Sequence, residues 1–180
     1  SRDWSSDVCS SDLKVLDWIK KNPKPDLNFS INSNMCVPES LLNKFISDIK
    51  EICAEKKVKK FKIFTSCDAH GKAAEYIRDG LNYDLWLHNI QRVMDEVPEC
   101  TFTVMSTYNA LSIGSYMHFL EDVMMIKEKY GGYDGRLSPF ILDTPYLRWP
   151  AHQAFFIRSE DTRLNSSHGY ISYAVFCLKK

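Results

Sequence analysis

The sequence predicts an α/β fold in which parallel strands alternate with helices and form part of a TIM-like (β/α) barrel. Two observations predict this fold. Short segments with the two-residue period of a strand are separated by longer segments with the apolar stripe of a helix, and polar residues gather where each strand ends, as at the top of a barrel. An open doubly wound sheet also gathers polar groups there, but its phosphate-binding glycine turn is absent from the sequence.

The composition is that of one ordinary globular domain. The chain has 180 residues, of which 44% are hydrophobic, and its formal net charge is zero. A chain without net charge creates no global field that would recruit nucleic acid or an anionic membrane. No apolar run approaches the roughly 20 residues that span a bilayer, and no signal-peptide core is evident. We therefore expect a cytoplasmic protein without nucleic-acid or membrane partners.

The alternation of strands and helices begins with a helix-like stretch, a strand and a long helix. Residues 14–21 are short and apolar-periodic, and the prolines that follow end them. Residues 27–34 alternate strictly between apolar and polar side chains, which predicts a strand. Pro38 then opens a helix, where its missing N–H costs nothing. Its apolar stripe comprises Leu42, Phe45, Ile46, Ile49, Ile52 and Cys53.

The second repeat begins with the strand that we predict over residues 61–68. Asp84 is the expected cap of the helix that follows, whose stripe comprises Leu87, Ile90, Val93, Met94 and Val97. The lysines between the first long helix and this strand are expected to form a solvated turn; they are Lys56, Lys57, Lys59 and Lys60.

The remaining elements are two strands and one helix. Residues 101–109 and 140–144 read as strands, and Ser115 starts a helix that Gly131 and Gly132 end. Four strands are half of an eight-stranded barrel. Such a half leaves two unpaired edges, which favour association with another strand.

The six cysteines are scattered and include no C-x-x-C pair, so neither a zinc knuckle nor a redox motif is indicated. We expect free buried thiols and no metal site within this chain.

The two ends differ from the middle. Residues 1–13 and 158–180 resemble conceptual translations of sequencing adapters of the kind found fused to metagenomic reading frames. If so, they were not selected for folding, and they are set apart from the fold. The alternative is that residues 170–178 form a real terminal strand. We therefore expect a natural fragment over residues 14–157, flanked by artefactual sequence that packs poorly on it.

Four motifs, in order, resemble the third to sixth strands of radical S-adenosylmethionine enzymes, and the last resembles the twitch-domain subgroup. They are NFSINSNM (28–35), TSCDAHGKAAEYIRDGLNYDLWLHNI (65–90), TVMSTYNALSI (103–113) and LDTPYLRWPAHQ (142–153). The resemblance implies that the parent protein uses a [4Fe–4S] cluster to cleave S-adenosylmethionine. The 5′-deoxyadenosyl radical then takes a hydrogen atom from a substrate that the sequence does not identify.

The resemblance also implies which residues contact this cofactor. Ser66 and Arg78 match positions at the methionyl carboxylate, for which a guanidinium fork is suited. Asn109 matches a position near the same moiety or the ribose, and Pro145 lies where the family lines the adenine pocket. Three roles stay open for Asp68: a base, a ribose contact or a helix cap. Arg78 has a simpler alternative as a solvated residue paired with Glu75.

One departure from the family limits what this chain does. The cluster-binding C-x-x-x-C-x-x-C loop and the Gly-Gly-Glu turn are absent, and thiolates hold such clusters. We therefore expect this chain alone to be inactive. Two alternatives stay open: a barrel hydrolase or lyase that uses Asp68 and Asp143 as acid and base, and a non-catalytic ligand-binding barrel. A Ser66–Asp68–His70 triad is disfavoured, because triads normally draw on separate elements.

Overall fold

A computed structural model of the protein describes residues 10–131 and 139–145, with side chains from residue 12 onward. Several predictions fall outside these residues. They concern the adapter-like residues 1–9 and 158–180, the terminal strand over 170–178, and the part of the sixth-strand motif beyond residue 145.

Strands alternate with helices along the described chain, as the sequence predicts. The elements are α1 (Ser10–Lys21), β1 (Lys24–Asn32), α2 (Glu39–Ala54), β2 (Val58–Ser66), α3 (Gly71–Ile77), α4 (Tyr83–Glu96), β3 (Thr101–Met105), α5 (Tyr116–Tyr130) and β4 (Phe140–Asp143). The short helix α3 is an addition, since the sequence analysis predicts no helix there.

The four described strands form one parallel sheet in the order β1-β2-β3-β4. Parallel strands are joined by right-handed crossovers almost without exception. When each crossover steps to the next strand in the same direction, the connecting helices fall on one face of the sheet. A doubly wound sheet reverses its order and is covered on both faces, so the observed order is that of a singly wound sheet.

One face of the sheet packs against the helices. Phe61, Ile63, Phe102 and Val104 have exposed fractions of 0–1%, and they belong to the same hydrophobic cluster as the stripes of α2, α4 and α5. Trp86 of α4 lies fully buried in this core. The burial of these side chains is the main term that holds the helices on the sheet.

The opposite face carries the polar half of the strand alternation. Asn28, Ser30 and Asn32 of β1 are exposed, and Lys60 of β2 is exposed beside them. Because residues paired in register point to the same side of a parallel sheet, these side chains share one face with Ser66. This open face carries the candidate sites described below.

Helix α1 begins inside the segment that the sequence analysis assigned to adapter sequence. It starts at Ser10, and Leu13 is 9% exposed and belongs to the core cluster. Lys20 of α1 contacts the buried carboxylate of Asp48 on α2 at 2.6 Å, which ties the two helices together. Asp48 holds the pKa of Lys20 above its ordinary value through this hydrogen bond.

Two sequence predictions about local structure are wrong. Asp84 does not cap α4, because Asn82 occupies that position and its side chain accepts a hydrogen bond from the Leu85 N–H at 2.9 Å. The lysine cluster is not a solvated turn throughout: Lys57 is 8% exposed and pairs with Glu51 and Glu55, and Lys59 and Lys60 lie within β2.

No helix in the described ranges combines the length and the apolar character that crossing a bilayer requires.

Candidate functional site

An open cleft of about 310 Å³ lies at the carboxyl ends of β1 and β2, next to β3. Its lining combines polar side chains with apolar ones. The lining residues are Asn32, Ser33, Asn34, Phe64, Ser66, Ile77, Arg78, Asp79, Leu81 and Met105.

The strand register explains why distant residues meet here. Asn32 pairs with Phe64, and Ser66 pairs with Met105, which in turn pairs with Asp143. Paired residues share a face, and residues two apart on one strand do too. The last residues of β1, β2 and β3 therefore point to the same side, and Asp143 lies on that side at the exposed end of β4.

Arg78 reaches the cleft from the end of α3, and Asp68 holds it there. Arg78 Nε lies 2.8 Å from Asp68 Oδ2. The N–H is not aimed at that oxygen, so the contact is an ion pair without a linear hydrogen bond. The Asp68 side chain is 6% exposed and that of Arg78 is 36% exposed, so the carboxylate is buried below a guanidinium that reaches solvent.

Asp68 has a second partner that crosses to the next loop. Its Oδ1 accepts a hydrogen bond from the Thr107 N–H at 2.7 Å. Asp68 therefore joins the end of β2 to the loop after β3 and does not cap α3, whose cap position is His70. The alternative Arg78–Glu75 pair is also not formed, because Glu75 pairs with Lys72 and accepts from the Tyr83 N–H.

Ser66 and Arg78, which the resemblance assigns to a carboxylate, both line the cleft. Among the described residues, no hydrogen-bond partner is found for the Ser66 hydroxyl or for the terminal Nη atoms of Arg78. One hydroxyl and one guanidinium edge are thus available to a ligand. A planar guanidinium can donate two parallel hydrogen bonds to a carboxylate.

The loop after β1 also lines the cleft, and local hydrogen bonds fix its conformation. Ser33 Oγ accepts from the Met35 N–H, and Asn34 Oδ1 accepts from the Cys36 N–H. Asn89 of α4 donates to the Met35 carbonyl at 2.8 Å, which ties this loop to the helix layer. Sequence reasoning missed Asn34 as a lining residue. Its position two residues beyond the β1 strand end, in the third-strand motif, was the available signal.

Asn109 and Pro145 do not line this cleft. The Asn109 side chain holds its own turn, because Nδ2 donates to the Thr107 carbonyl and Oδ1 accepts from the Leu111 and Ser112 N–H groups. This is the turn chemistry for which asparagine is favoured. Pro145 is exposed just beyond β4.

His70 faces away from the cleft, toward α4 and α5. Its Nε2 lies 3.6 Å from Asp122 Oδ2, which accepts a hydrogen bond from the Tyr83 hydroxyl at 2.7 Å. His118 stacks edge-on against it at 5.7 Å. His70 is not hydrogen-bonded to Ser66 or Asp68 within the described structure, which agrees with the disfavoured triad.

The described residues do not fit an iron–sulfur cluster. No group of three histidine, cysteine or carboxylate side chains in ranges 10–131 and 139–145 could hold a metal ion. No disulfide joins the described cysteines, Cys36, Cys53, Cys67 and Cys100, and burial raises the pKa of the Cys67 thiol to about 12. A protonated thiol is not the thiolate that a cluster needs.

The turn that presents Arg78 depends on a glycine. Gly80 has a φ of +80°, a conformation that is strained for residues with a Cβ, and an added Cβ would meet nothing within 4 Å. We expect Gly80→Ala to lower the free energy of unfolding by about 1 kcal/mol, because the cost is conformational alone. Urea denaturation measures it. Asp79→Ala, at the exposed neighbour, is the control, and equal stability of both variants would contradict the prediction.

Comparison with known proteins does not identify a relative: no family model matches the chain, and no curated protein and no solved structure matches it significantly.

Proposed function

We propose that this chain is part of a radical S-adenosylmethionine enzyme and that its cleft binds the methionyl end of the cofactor. The observation that carries the proposal is the meeting of Ser66 and Arg78 in one cleft at the carboxyl ends of parallel strands. Their free donors match an amino-acid carboxylate in charge and geometry. Asn32 and Asn34 add polar groups on the β1 side that suit the α-ammonium group.

The fold supports the same proposal. A singly wound parallel sheet with helices on one face and polar residues at the carboxyl ends of its strands is what a segment of a (β/α) barrel contains. In this interpretation the open face is the inner face of the barrel, and β1 to β4 are its third to sixth strands. Association through the edges of β1 and β4, which pair with no further strand among the described residues, is part of the proposal.

The cluster is not assigned to this chain, since its described residues do not fit one. In the proposed parent enzyme, residues outside those described would hold the cluster, which would supply electron-transfer chemistry when bound. This chain's own residues bind and orient the amino-acid end of the cofactor: Ser66 and Arg78 grip the carboxylate, and Asp68 positions Arg78.

An acid–base role for Asp68 and Asp143 is less well supported. Both oxygens of Asp68 are engaged, one by the Thr107 N–H and one by Arg78. Because these two contacts already occupy the carboxylate, Asp68 is not placed to exchange a proton with a substrate.

Calorimetric titration with S-adenosylmethionine tests the proposal. We expect the chain to bind it and Arg78→Ala to weaken binding by about 10- to 100-fold, because a hydrogen bond to a charged group contributes roughly 1.5–3 kcal/mol. Arg92→Ala is the matched control, since Arg92 pairs with Glu96 on α4, and Arg92 is not among the residues that line the cleft. Absence of binding, or equal affinities of the two variants, would refute the assignment.

A further inference from the structure

A second cleft of about 330 Å³ lies on the same open face, nearer the amino ends of β1 and β2. Three lysines, Lys59, Lys60 and Lys62, line it, together with Asn28 and Ser30 of β1 and the ring of Phe64. Phe64 also lines the Arg78 cleft, so the two clefts are neighbours along β2.

The lysines bring positive charge together without compensation. Lys60 and Lys62 are two apart on β2 and therefore project on the same side, about 7 Å from each other. No carboxylate of the described residues lies within ion-pair distance of Lys59, Lys60 or Lys62. Lys20 and Lys57 differ from these three, since they pair with carboxylates at 2.6 and 2.8 Å. Like charges at this spacing repel one another, and a bound anion removes the repulsion.

The neighbouring strand supplies hydrogen-bonding groups at the same level. Asn28 is in register with Lys60, and Ser30 with Lys62. The Asn28 side chain therefore projects from β1 on the same side as Lys60, and that of Ser30 on the same side as Lys62. Lysine binds phosphate as a point charge, and hydroxyl and amide groups satisfy the remaining phosphate oxygens. The Phe64 ring at the upper end offers an apolar surface to an organic group attached to the phosphate.

We propose that this cleft binds the phosphate of a small organic phosphate monoester, with Lys60 and Lys62 on the phosphate and Phe64 against the organic part. The site is independent of the Arg78 cleft, because none of the charged residues is shared. It gives a role to Lys60, which the sequence predicts to lie in a solvated turn.

Calorimetric titration with phenyl phosphate and with inorganic phosphate tests this site. We expect phenyl phosphate to bind more tightly than inorganic phosphate, because only the ester contacts Phe64. The double variant Lys60→Gln/Lys62→Gln should weaken binding of phenyl phosphate by about tenfold or more. Lys60→Arg/Lys62→Arg should retain it, which separates loss of charge from loss of fold.

The control removes the same charge elsewhere. Lys14→Gln/Lys21→Gln changes two exposed lysines of α1 and should leave the affinity unchanged. Three results would overturn the proposal: no binding by the unmodified chain at millimolar phenyl phosphate, equal weakening in both glutamine variants, or equal affinity for phenyl phosphate and inorganic phosphate. None of these results bears on Arg78, so this test and that of the proposed function fail separately.

Discussion

Trp86→Ala is expected to lower the free energy of unfolding by about 3–5 kcal/mol, the range for removing a large aromatic side chain from a packed core. Trp86 is fully buried. Its ring lies 5.6 Å from that of Tyr83 and 6.4 Å from that of Phe119, centroid to centroid, and its Nε1 donates to Thr65 Oγ1 at 2.9 Å. Truncation therefore leaves a cavity between α4 and β2, and it leaves the buried Thr65 hydroxyl without its donor.

Two further variants separate these contributions. Trp86→Phe keeps an aromatic ring but removes the Nε1–H donor and part of the ring volume, so a smaller loss of about 1–3 kcal/mol is expected. Leu85→Ala, at the neighbouring residue with 37% exposure, should change stability little. Urea denaturation at equilibrium measures all three, and a Trp86→Ala protein as stable as the Leu85→Ala protein would contradict the described core.

Asp68→Ala is expected to cost about 3 kcal/mol, the lower end of the range for removing one partner of a buried ion pair. The lower end applies because solvent reaches the Arg78 side chain, which is 36% exposed. The substitution also removes the acceptor of the Thr107 N–H. We expect Asp68→Ala to weaken ligand binding as well, since Arg78 loses the contact that positions it.

Asp68→Asn distinguishes the two contributions to this loss. The amide oxygen can still accept from the Thr107 N–H, whereas the charge opposite Arg78 is gone, so an intermediate loss of stability is expected. Asp79→Ala removes an exposed carboxylate nearby and serves as control. If Asp68→Ala were no less stable than Asp79→Ala in urea denaturation, the proposed stabilising link through Asp68 between β2 and the loop that contains Thr107 would be ruled out.

The order and type of the main elements could be predicted from local sequence patterns. Strict alternation marks β1, and apolar stripes mark α2, α4 and α5, because burial of one face imposes these periods. The short helix α3 has only Ala74 buried, so its seven residues carry no stripe to detect. The cap of α4 was misplaced because Asn82 and Asp84 are both good capping residues, and the backbone decides between them.

The candidate site could be predicted only in part, for a reason of distance along the chain. Ser66 and Arg78 were found through a motif within one βα unit. The role of Asp68 depends on the Thr107 N–H, 39 residues away, and a sequence pattern does not show which backbone amide a carboxylate will face. The Asn109 side chain does not reach the cleft, because it forms hydrogen bonds within its own turn.

The central claim is that the cleft holds the amino-acid end of S-adenosylmethionine between Ser66 and Arg78. Nuclear magnetic resonance titration of the isotope-labelled chain with this cofactor tests it most directly. We expect the resonances of the Asn32 and Ser66 backbone amides and of the Arg78 Nε–H to shift together and to saturate. Shifts confined to other surfaces, such as the one around His70 and Tyr83, or no shifts at saturating concentration, would contradict it.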